Sequence, residues 1–256
     1  MTDLLTREAS TRSAALLRIA IVLLLWTRWA AELTFAATPS AALSLLFFAA
    51  TACLLVGLWT RVAAVATALA ASILYFWFGA HLGHHAWIHH HHYLLVSAAW
   101  ICALTPCGRS FAVDARAGRP ERGPVWALRL YTIQLAAVYL WSGVDKLSPA
   151  FLSGARLEQI AMDLYFGSDP PAWHALAVAA AWVVTLLELT LGLAFLLGKT
   201  PRWLLLAGVG LHAALYLCLP VATFSATMIC LYLAALDPDA VHRGLDPASA
   251  PRAAAK

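Results

Sequence analysis

The sequence predicts an all-α membrane protein, a polytopic transmembrane helical bundle of about eight helices. Three observations favour this fold class. Of 256 residues, 62% are hydrophobic and only 12% are charged, which is about half the charged fraction of an average soluble domain. The mean hydropathy is +0.76. Apolar stretches close to the roughly 20 residues needed to cross a bilayer recur along the whole chain, so a soluble globular protein is excluded.

The predicted spans are apolar stretches separated by Pro, Gly and Arg. They cover residues 14–36, 41–59, 62–81, 88–105, 125–147, 173–197, 203–219 and 221–236. Together they predict one transmembrane domain over residues 1–237. Residues 238–256 are rich in Pro and Ala and are predicted to form a short, poorly ordered cytoplasmic tail.

Lys and Arg gather in alternate connections and so predict the orientation. They precede the first span and cluster at 109–122, at 199–202 and near the C-terminus, whereas the connections at 37–40 and 82–87 have none. Basic connections stay in the cytoplasm, so both termini are predicted to be cytoplasmic. A bacterial protein of this kind would be a multi-pass protein of the inner membrane. The net charge of +4 reflects these topology signals, so the predicted partners are membrane lipids and not nucleic acid.

Several ionisable side chains lie inside the predicted spans, where they are costly and therefore candidates for function. Arg28 and Glu32 are four residues apart, a spacing that predicts an ion pair on one helix face. Glu188 lies in the sixth span and His212 in the seventh. Each is interpreted either as a functional group or as a buried polar group that forms a hydrogen bond with the other.

The fifth span carries a polar stripe. Gln134, Ser142 and Lys146 recur at multiples of four residues, and Gly143 and Asp145 are adjacent to them. This spacing places the stripe on one helix face, which we expect to line a cavity.

Lys146 has two interpretations. It is either an anchor whose stem reaches the headgroup region, or a base. In a weakly solvated pocket a lysine gives up its proton more readily, so the amine can take a proton from a substrate hydroxyl. Pairing with Asp145 would keep the amine charged and would favour binding over base catalysis.

The histidines form a dense cluster, because seven of the ten lie between His81 and His92. The spacing of His81, His84 and His85 resembles one histidine box of the membrane di-iron desaturases and hydroxylases. A single box does not supply the ligands that two irons require, and consecutive histidines on a helix point in different directions. No metal cofactor is therefore predicted.

Four patterns occur in order along the chain. They are HHHYL at 90–94, QLAAVYLWSGVDKLSPAFLSGARL at 134–157, the mid-span acid Glu188, and His212 followed by Phe224, Ser225 and Met228. The second contains Q-x-x-x-V-Y-x-x-x-G-x-x-K-L, the first is similar to N-H-x-Y-L, and the last to H…F-S-x-x-M. Together these patterns resemble the vitamin K-dependent gamma-carboxylases and the related horizontally transferred transmembrane (HTTM) domain proteins.

The resemblance implies roles for the matched residues. In the carboxylases the lysine of G-x-x-K-L deprotonates vitamin K hydroquinone, which implies that Lys146 is the catalytic base and that His91 assists it. The remaining matches imply a substrate- or cofactor-binding set made of Gln134, Tyr139, Ser142, Gly143, Tyr93, Glu188, His212 and Ser225. The implied cofactors are a reduced quinone and molecular oxygen, with carbon dioxide as a further candidate. The implied site faces the non-cytoplasmic side.

These patterns favour two functions, and a metal-dependent oxidase that uses the histidine cluster and a transporter stay open as further alternatives. The first is a carboxylase-like membrane enzyme, an oxidoreductase or lyase, that deprotonates a reduced quinone and couples epoxidation to the modification of a small substrate. The second is a non-catalytic protein that binds a quinone or lipid, or a subunit that supports a soluble or membrane partner protein. A fold alone does not choose between them.

Overall fold

The computed structural model is nearly all-α and describes residues 6–35, 40–88, 90–117, 120–163, 173–219 and 221–246. The chain divides into two compact units, and each is described by itself. Unit 1 consists of Met1–Tyr131 together with Cys230–Lys256, and unit 2 is Thr132–Ile229.

The described elements begin with a short strand and continue as helices joined by short connections. In chain order they are β1 (Glu8–Ser10), α1 (Arg12–Phe35), α2 (Ala41–Val56), α3 (Thr60–Ser72) with a π-helical continuation (Ile73–His81), α4 (His90–Leu104), a 3₁₀ turn (Asp114–Ala117), β2 (Arg122–Pro124), α5 (Trp126–Asp145), α6 (Pro149–Leu152), α7 (Ala155–Ala161), α8 (Trp173–Leu197), α9 (Arg202–Cys218), α10 (Ala222–Leu231) with a 3₁₀ continuation (Tyr232–Ala235), and α11 (Pro238–Leu245). A helix therefore lies in every segment whose hydropathy predicts a span.

Three of these helical segments are long and apolar enough to cross a membrane: Arg12–Phe35, Thr60–His81 and Trp173–Leu197. A fourth is added if Ala222–Ala235 and Pro238–Leu245, which are bent by 99°, count as one broken span. The described part of the chain thus has the helices of an integral membrane protein, with three or four candidate spans. The larger number of eight stays a prediction.

Part of the core of unit 1 combines alanines with larger aliphatic side chains. This part contains Val22, Leu54, Ala63, Ala64 and Ala103. Small residues let helix backbones approach closely where the surroundings are as apolar as the side chains themselves. The fully buried Arg18 donates to the carbonyl oxygens of Cys107 (2.7 Å) and Phe111 (2.5 Å). These bonds fix the connection that follows α4.

One polar network in unit 1 joins three distant parts of the chain. Strands β1 and β2 pair antiparallel. Asp239 of α11 accepts hydrogen bonds from the backbone N of Ser10 and from Nη1 of Arg122, both at 3.0 Å. His242 Nδ1 lies 3.0 Å from Ser10 Oγ. The N-terminal strand, the basic connection before α5 and the C-terminal helix therefore lie at the same end of this unit.

The prediction of a poorly ordered tail is corrected for its first eight residues, because Pro238–Leu245 form a helix. The side chain of Asp237 accepts from the backbone N of Ala240 at 3.2 Å, and Pro238 occupies the first turn. Both features stabilise a helix start. Residues 247–256 lie outside the described residues, and a domain boundary at residue 237 stays a prediction.

The predicted ion pair between Arg28 and Glu32 does not form in the described part of unit 1. Arg28 instead donates from Nε to His92 Nε2 at 2.6 Å and from Nη2 to the carbonyl oxygen of Ala86 at 3.0 Å. A tertiary contact with the connection before α4 therefore overrides the local spacing rule.

Candidate functional site

The polar stripe of α5 is formed as its spacing predicts. Gln134, Ser142 and Lys146 follow one another along one side of the helix, and Lys146 continues the last turn by donating its backbone N–H to the carbonyl of Ser142 at 3.2 Å. Gln134 and Ser142 are half-buried. The stripe therefore ends at the amine of Lys146.

Lys146 lies in an ion pair with Glu188 of α8. Its Nζ is 2.9 Å from Oε2 and 3.2 Å from Oε1 of Glu188. It also donates to Ser142 Oγ at 2.5 Å, and it lies 5.6 Å from the ring centroid of Phe151. The side chain of Lys146 is 20% exposed and that of Glu188 is 6% exposed. The amine is thus oriented by three groups and remains partly accessible.

Two glycines allow α5 and α8 to approach closely enough for this pair. A Cβ on Gly143 would lie 2.8 Å from side-chain atoms of Leu189, and a Cβ on Gly192 would lie 2.9 Å from the backbone N of Leu140. Contacts this short leave no room for a methyl group at either position. Gly143 therefore lets the two helices touch, and its membership of the binding set stays a prediction.

A second polar group of unit 2 contains Tyr139 and His212. Tyr139 Oη lies 2.7 Å from His212 Nε2, and both side chains are buried. The ring of Tyr139 stacks on Phe195, and that of His212 packs edge-on against Phe224. The sequence alternative in which Glu188 and His212 satisfy one another is wrong, because Glu188 bonds Lys146 and His212 bonds Tyr139.

Ser225 is also buried in unit 2, on α10. Its Oγ has no hydrogen-bond partner among the described residues. A buried hydroxyl without a partner is unfavourable, which is compatible with a ligand or water that would bond it. A binding role for Ser225 stays a prediction.

Two predicted site residues belong to unit 1. Tyr93 of α4 is 55% exposed, and its ring lies 6.0 Å from that of Tyr75 and 6.4 Å from that of Phe76. His91 lies within α4, but its side chain is outside the described residues. The catalytic role of His91 and the binding role of Tyr93 therefore stay predictions.

The histidine cluster has individual contacts where it is described. His81 stacks on Trp77 with centroids 4.6 Å apart, and His92 accepts from Arg28 as given above. No group of three potential metal ligands occurs among the described residues. The predicted absence of a metal cofactor is not tested by that observation.

Sequence reasoning missed two features of the site. It offered Asp145 as the partner of Lys146, yet Asp145 is exposed and Glu188 forms the ion pair. It also gave no role to Phe151, whose ring faces the amine. The available signal was the presence of one buried acid in the following span, but sequence spacing does not say which helices touch.

Comparison with known families identifies the HTTM domain in this chain. The model of the HTTM domain matches residues 25–239, which covers every described residue of the site. No curated protein and no solved structure matches the chain significantly. The match indicates a membrane protein related to the vitamin K-dependent carboxylases. Because the family match covers most of the sequence, the chain belongs to the HTTM domain family.

Proposed function

We propose that this protein is an integral membrane enzyme in which Lys146 deprotonates a reduced quinone. The observation that carries the proposal is the arrangement around the amine: Ser142, Glu188 and Phe151 hold Nζ in one place, and a fifth of the side chain stays accessible. A base must lie within hydrogen-bond reach of the proton that it takes, and an oriented, accessible amine meets this requirement.

Glu188 provides the route by which the amine becomes a base. In the ion pair the lysine is protonated, and one of its protons points to a carboxylate oxygen 2.9 Å away. Transfer of that proton to Glu188 would leave a neutral amine, and the hydrogen-bonded geometry of the pair allows the transfer to occur directly. The neutral amine can then accept a proton from a phenolic hydroxyl, while Ser142 keeps Nζ oriented.

The donors and acceptors of unit 2 are compatible with a quinol. Lys146 and Ser142 offer polar contacts at the accessible end of the stripe, and the ring of Phe151 offers an apolar face beside them. The quinol supplies a weakly acidic hydroxyl and, once ionised, reactivity toward molecular oxygen. We further propose that epoxidation is coupled to the modification of a small substrate, with carbon dioxide as a candidate reactant.

The proposed membrane arrangement has eight transmembrane helices and cytoplasmic termini. The shared location of the termini is supported by the network of Ser10, Arg122 and Asp239, which holds the N-terminal strand, the basic connection and α11 together at one end of unit 1. Basic connections favour the cytoplasm for that end. A bacterial protein would then lie in the inner membrane with the Lys146 end of α5 facing outward.

A second candidate function is supported by the same ion pair. A lysine that is permanently paired with Glu188 would join α5 to α8 and would line a binding site for a quinone or lipid without catalysis, alone or beside a partner protein. The two functions differ in what they require of Lys146. A base must lose its proton, whereas a structural cation must keep it.

Substitution of Lys146 separates the two functions. Detergent-purified variants would be given reduced vitamin K or ubiquinol analogues, and oxygen uptake and epoxide formation would be measured. We expect Lys146→Ala to lower the rate by about 10² to 10⁴-fold, and we expect Lys146→Arg to fail as well because a guanidinium stays protonated. Quinol affinity should fall far less than turnover in either variant, because only one polar contact to the quinol is changed.

Lys199 offers a matched control, because it is exposed in the connection after α8. Lys199→Ala should keep wild-type turnover. Full turnover by Lys146→Arg would eliminate the base mechanism. If the wild-type protein binds quinols but does not turn them over, the second function would be favoured.

A further inference from the structure

Arg28 is a charged residue inside a candidate membrane span of unit 1, and the proposed function gives it no role. It lies in α1, a 24-residue helix that is long and apolar enough to cross a membrane. Ionisable side chains in such helices are costly, and those that occur usually pair with an opposite charge or face a polar path. The contacts of Arg28 therefore need an explanation.

Both described partners of the guanidinium are neutral. Nε donates to His92 Nε2 at 2.6 Å, and Nη2 donates to the carbonyl oxygen of Ala86 at 3.0 Å. Because His92 Nε2 accepts a hydrogen bond, the imidazole proton lies on Nδ1, which is 3.2 Å from the carbonyl oxygen of Trp87. His92 in this tautomer carries no charge, so neither contact compensates the charge of Arg28.

No carboxylate among the described residues forms an ion pair with Arg28, and this includes Glu32 one turn further along α1. A guanidinium has five N–H donors, and the described contacts use two of them. The Nη1 group has no described hydrogen-bond partner, and the residue is only half-buried. The cation therefore has donors available for a group that comes from outside the chain.

The position of the guanidinium is fixed before any ligand arrives. His92 is 3% exposed, and its ring packs edge-on against Trp29 at 5.6 Å. Trp29 in turn contacts Trp87 at 6.1 Å, and both tryptophans are buried. A donor held in this way loses little conformational entropy on binding. The contact with Ala86 also places the guanidinium beside the connection between α3 and α4, at one end of these helices.

We propose that Arg28, oriented by His92, binds an oxyanion. The chemical class is a phosphate or carboxylate group, which guanidinium recognises through charge-assisted hydrogen bonds. Two sources offer this group at the end of a membrane span: the headgroup of an anionic lipid and a small soluble acid. The site lies in unit 1 and does not depend on the reaction proposed for Lys146.

Binding can be measured on the full-length protein in a non-ionic detergent by isothermal titration. The probes are dihexanoyl phosphatidic acid as a lipid phosphate, N-acetylglutamate as a soluble carboxylate, and dihexanoylglycerol as a chain-matched compound without phosphate. We expect saturable binding of at least one of the two oxyanions and none of dihexanoylglycerol. The probe that binds identifies the source.

The variant Arg28→Gln should weaken that binding at least tenfold. Arg61→Gln is the matched control, since Arg61 is an exposed arginine on α3, and it should leave the affinity unchanged. Size-exclusion chromatography would verify that each variant folds. If Arg28→Gln does not fold, Arg28→Lys replaces it. Lysine keeps the charge but lacks the planar guanidinium fork, so Arg28→Lys should also bind more weakly than wild type. Equal affinity in wild type and the Arg28 variant, or no saturable oxyanion binding by the wild type, would overturn the proposal.

Discussion

The close crossing of α5 and α8 predicts that an added methyl group at Gly192 will separate the two helices. A Cβ at this position would lie 2.7 Å from Leu140 Cγ and 2.9 Å from Leu140 N. Leucine side chains can move, but a backbone nitrogen moves only with its helix. Gly192→Ala should therefore push α8 away from α5 by roughly half an ångström to restore ordinary contact distances of about 3.5 Å.

The expected cost follows from overpacking. Extra methyl groups in a closely packed region destabilise by about 1 to 3 kcal/mol, which corresponds to a decrease in Tm of roughly 2 to 10 °C for a chain of this size. Gly143→Ala should cost less, because its shortest contacts are with side-chain atoms of Leu189 and the backbone N is 3.2 Å away. Gly192→Ala should therefore cost more than Gly143→Ala, because its added methyl group meets a backbone nitrogen and not only movable side-chain atoms.

Thermal unfolding in detergent, followed by tryptophan fluorescence, would measure these shifts. Gly210→Ala is the matched control, because a Cβ at Gly210 of α9 meets nothing within 4 Å. Alanine is favoured over glycine in a helix by about 1 kcal/mol, so this variant should be at least as stable as wild type. A Gly192→Ala protein as stable as Gly210→Ala would refute the close crossing.

Three further predictions concern the ion pair, a helix start and the topology. Glu188→Leu should lower the free energy of unfolding because it leaves the charge of Lys146 unpaired. The double variant with Lys146→Met should be about 1 to 3 kcal/mol more stable than the sum of the two single effects predicts. Strict additivity in this double-mutant cycle would contradict the ion pair. Asp114 accepts hydrogen bonds from the backbone N–H groups at the start of α3, so Asp114→Ala should cost about 1 to 2 kcal/mol in thermal unfolding and Asp114→Asn less. In cells, cysteines placed at the exposed Ser153 and Gly244 should react with impermeant maleimides from opposite sides of the membrane, and labelling of both from one side would exclude the proposed orientation.

Fold class was predictable from the sequence because it depends on composition more than on specific contacts. A chain with few charges and recurring apolar stretches must satisfy its backbone within each segment, and helices do this locally. Each apolar segment accordingly forms a helix. The alignment of Ser142 with Lys146 was predictable for the same reason, since residues four apart share a helix face.

Local rules gave wrong partners wherever a neighbouring helix competed. Spacing alone predicted Glu32 for Arg28 and allowed Asp145 for Lys146, but the structure assigns His92 and Glu188. Lys146 does contact Ser142 one turn away, but its charge is paired with Glu188 of the neighbouring helix. Sequence separations of 64 and 42 residues are beyond any local pattern.

By itself the sequence determined that this is a helical membrane protein with an amine at the end of a polar stripe, because hydropathy and helical periodicity are local properties. Only the tertiary structure decided what surrounds that amine. Gly143 and Gly192 let α8 pack against α5, and this contact brings the carboxylate of Glu188 to Lys146. The pairing depends on the shapes of two helix surfaces that meet in space, and those shapes are set by packing and not by distance along the chain.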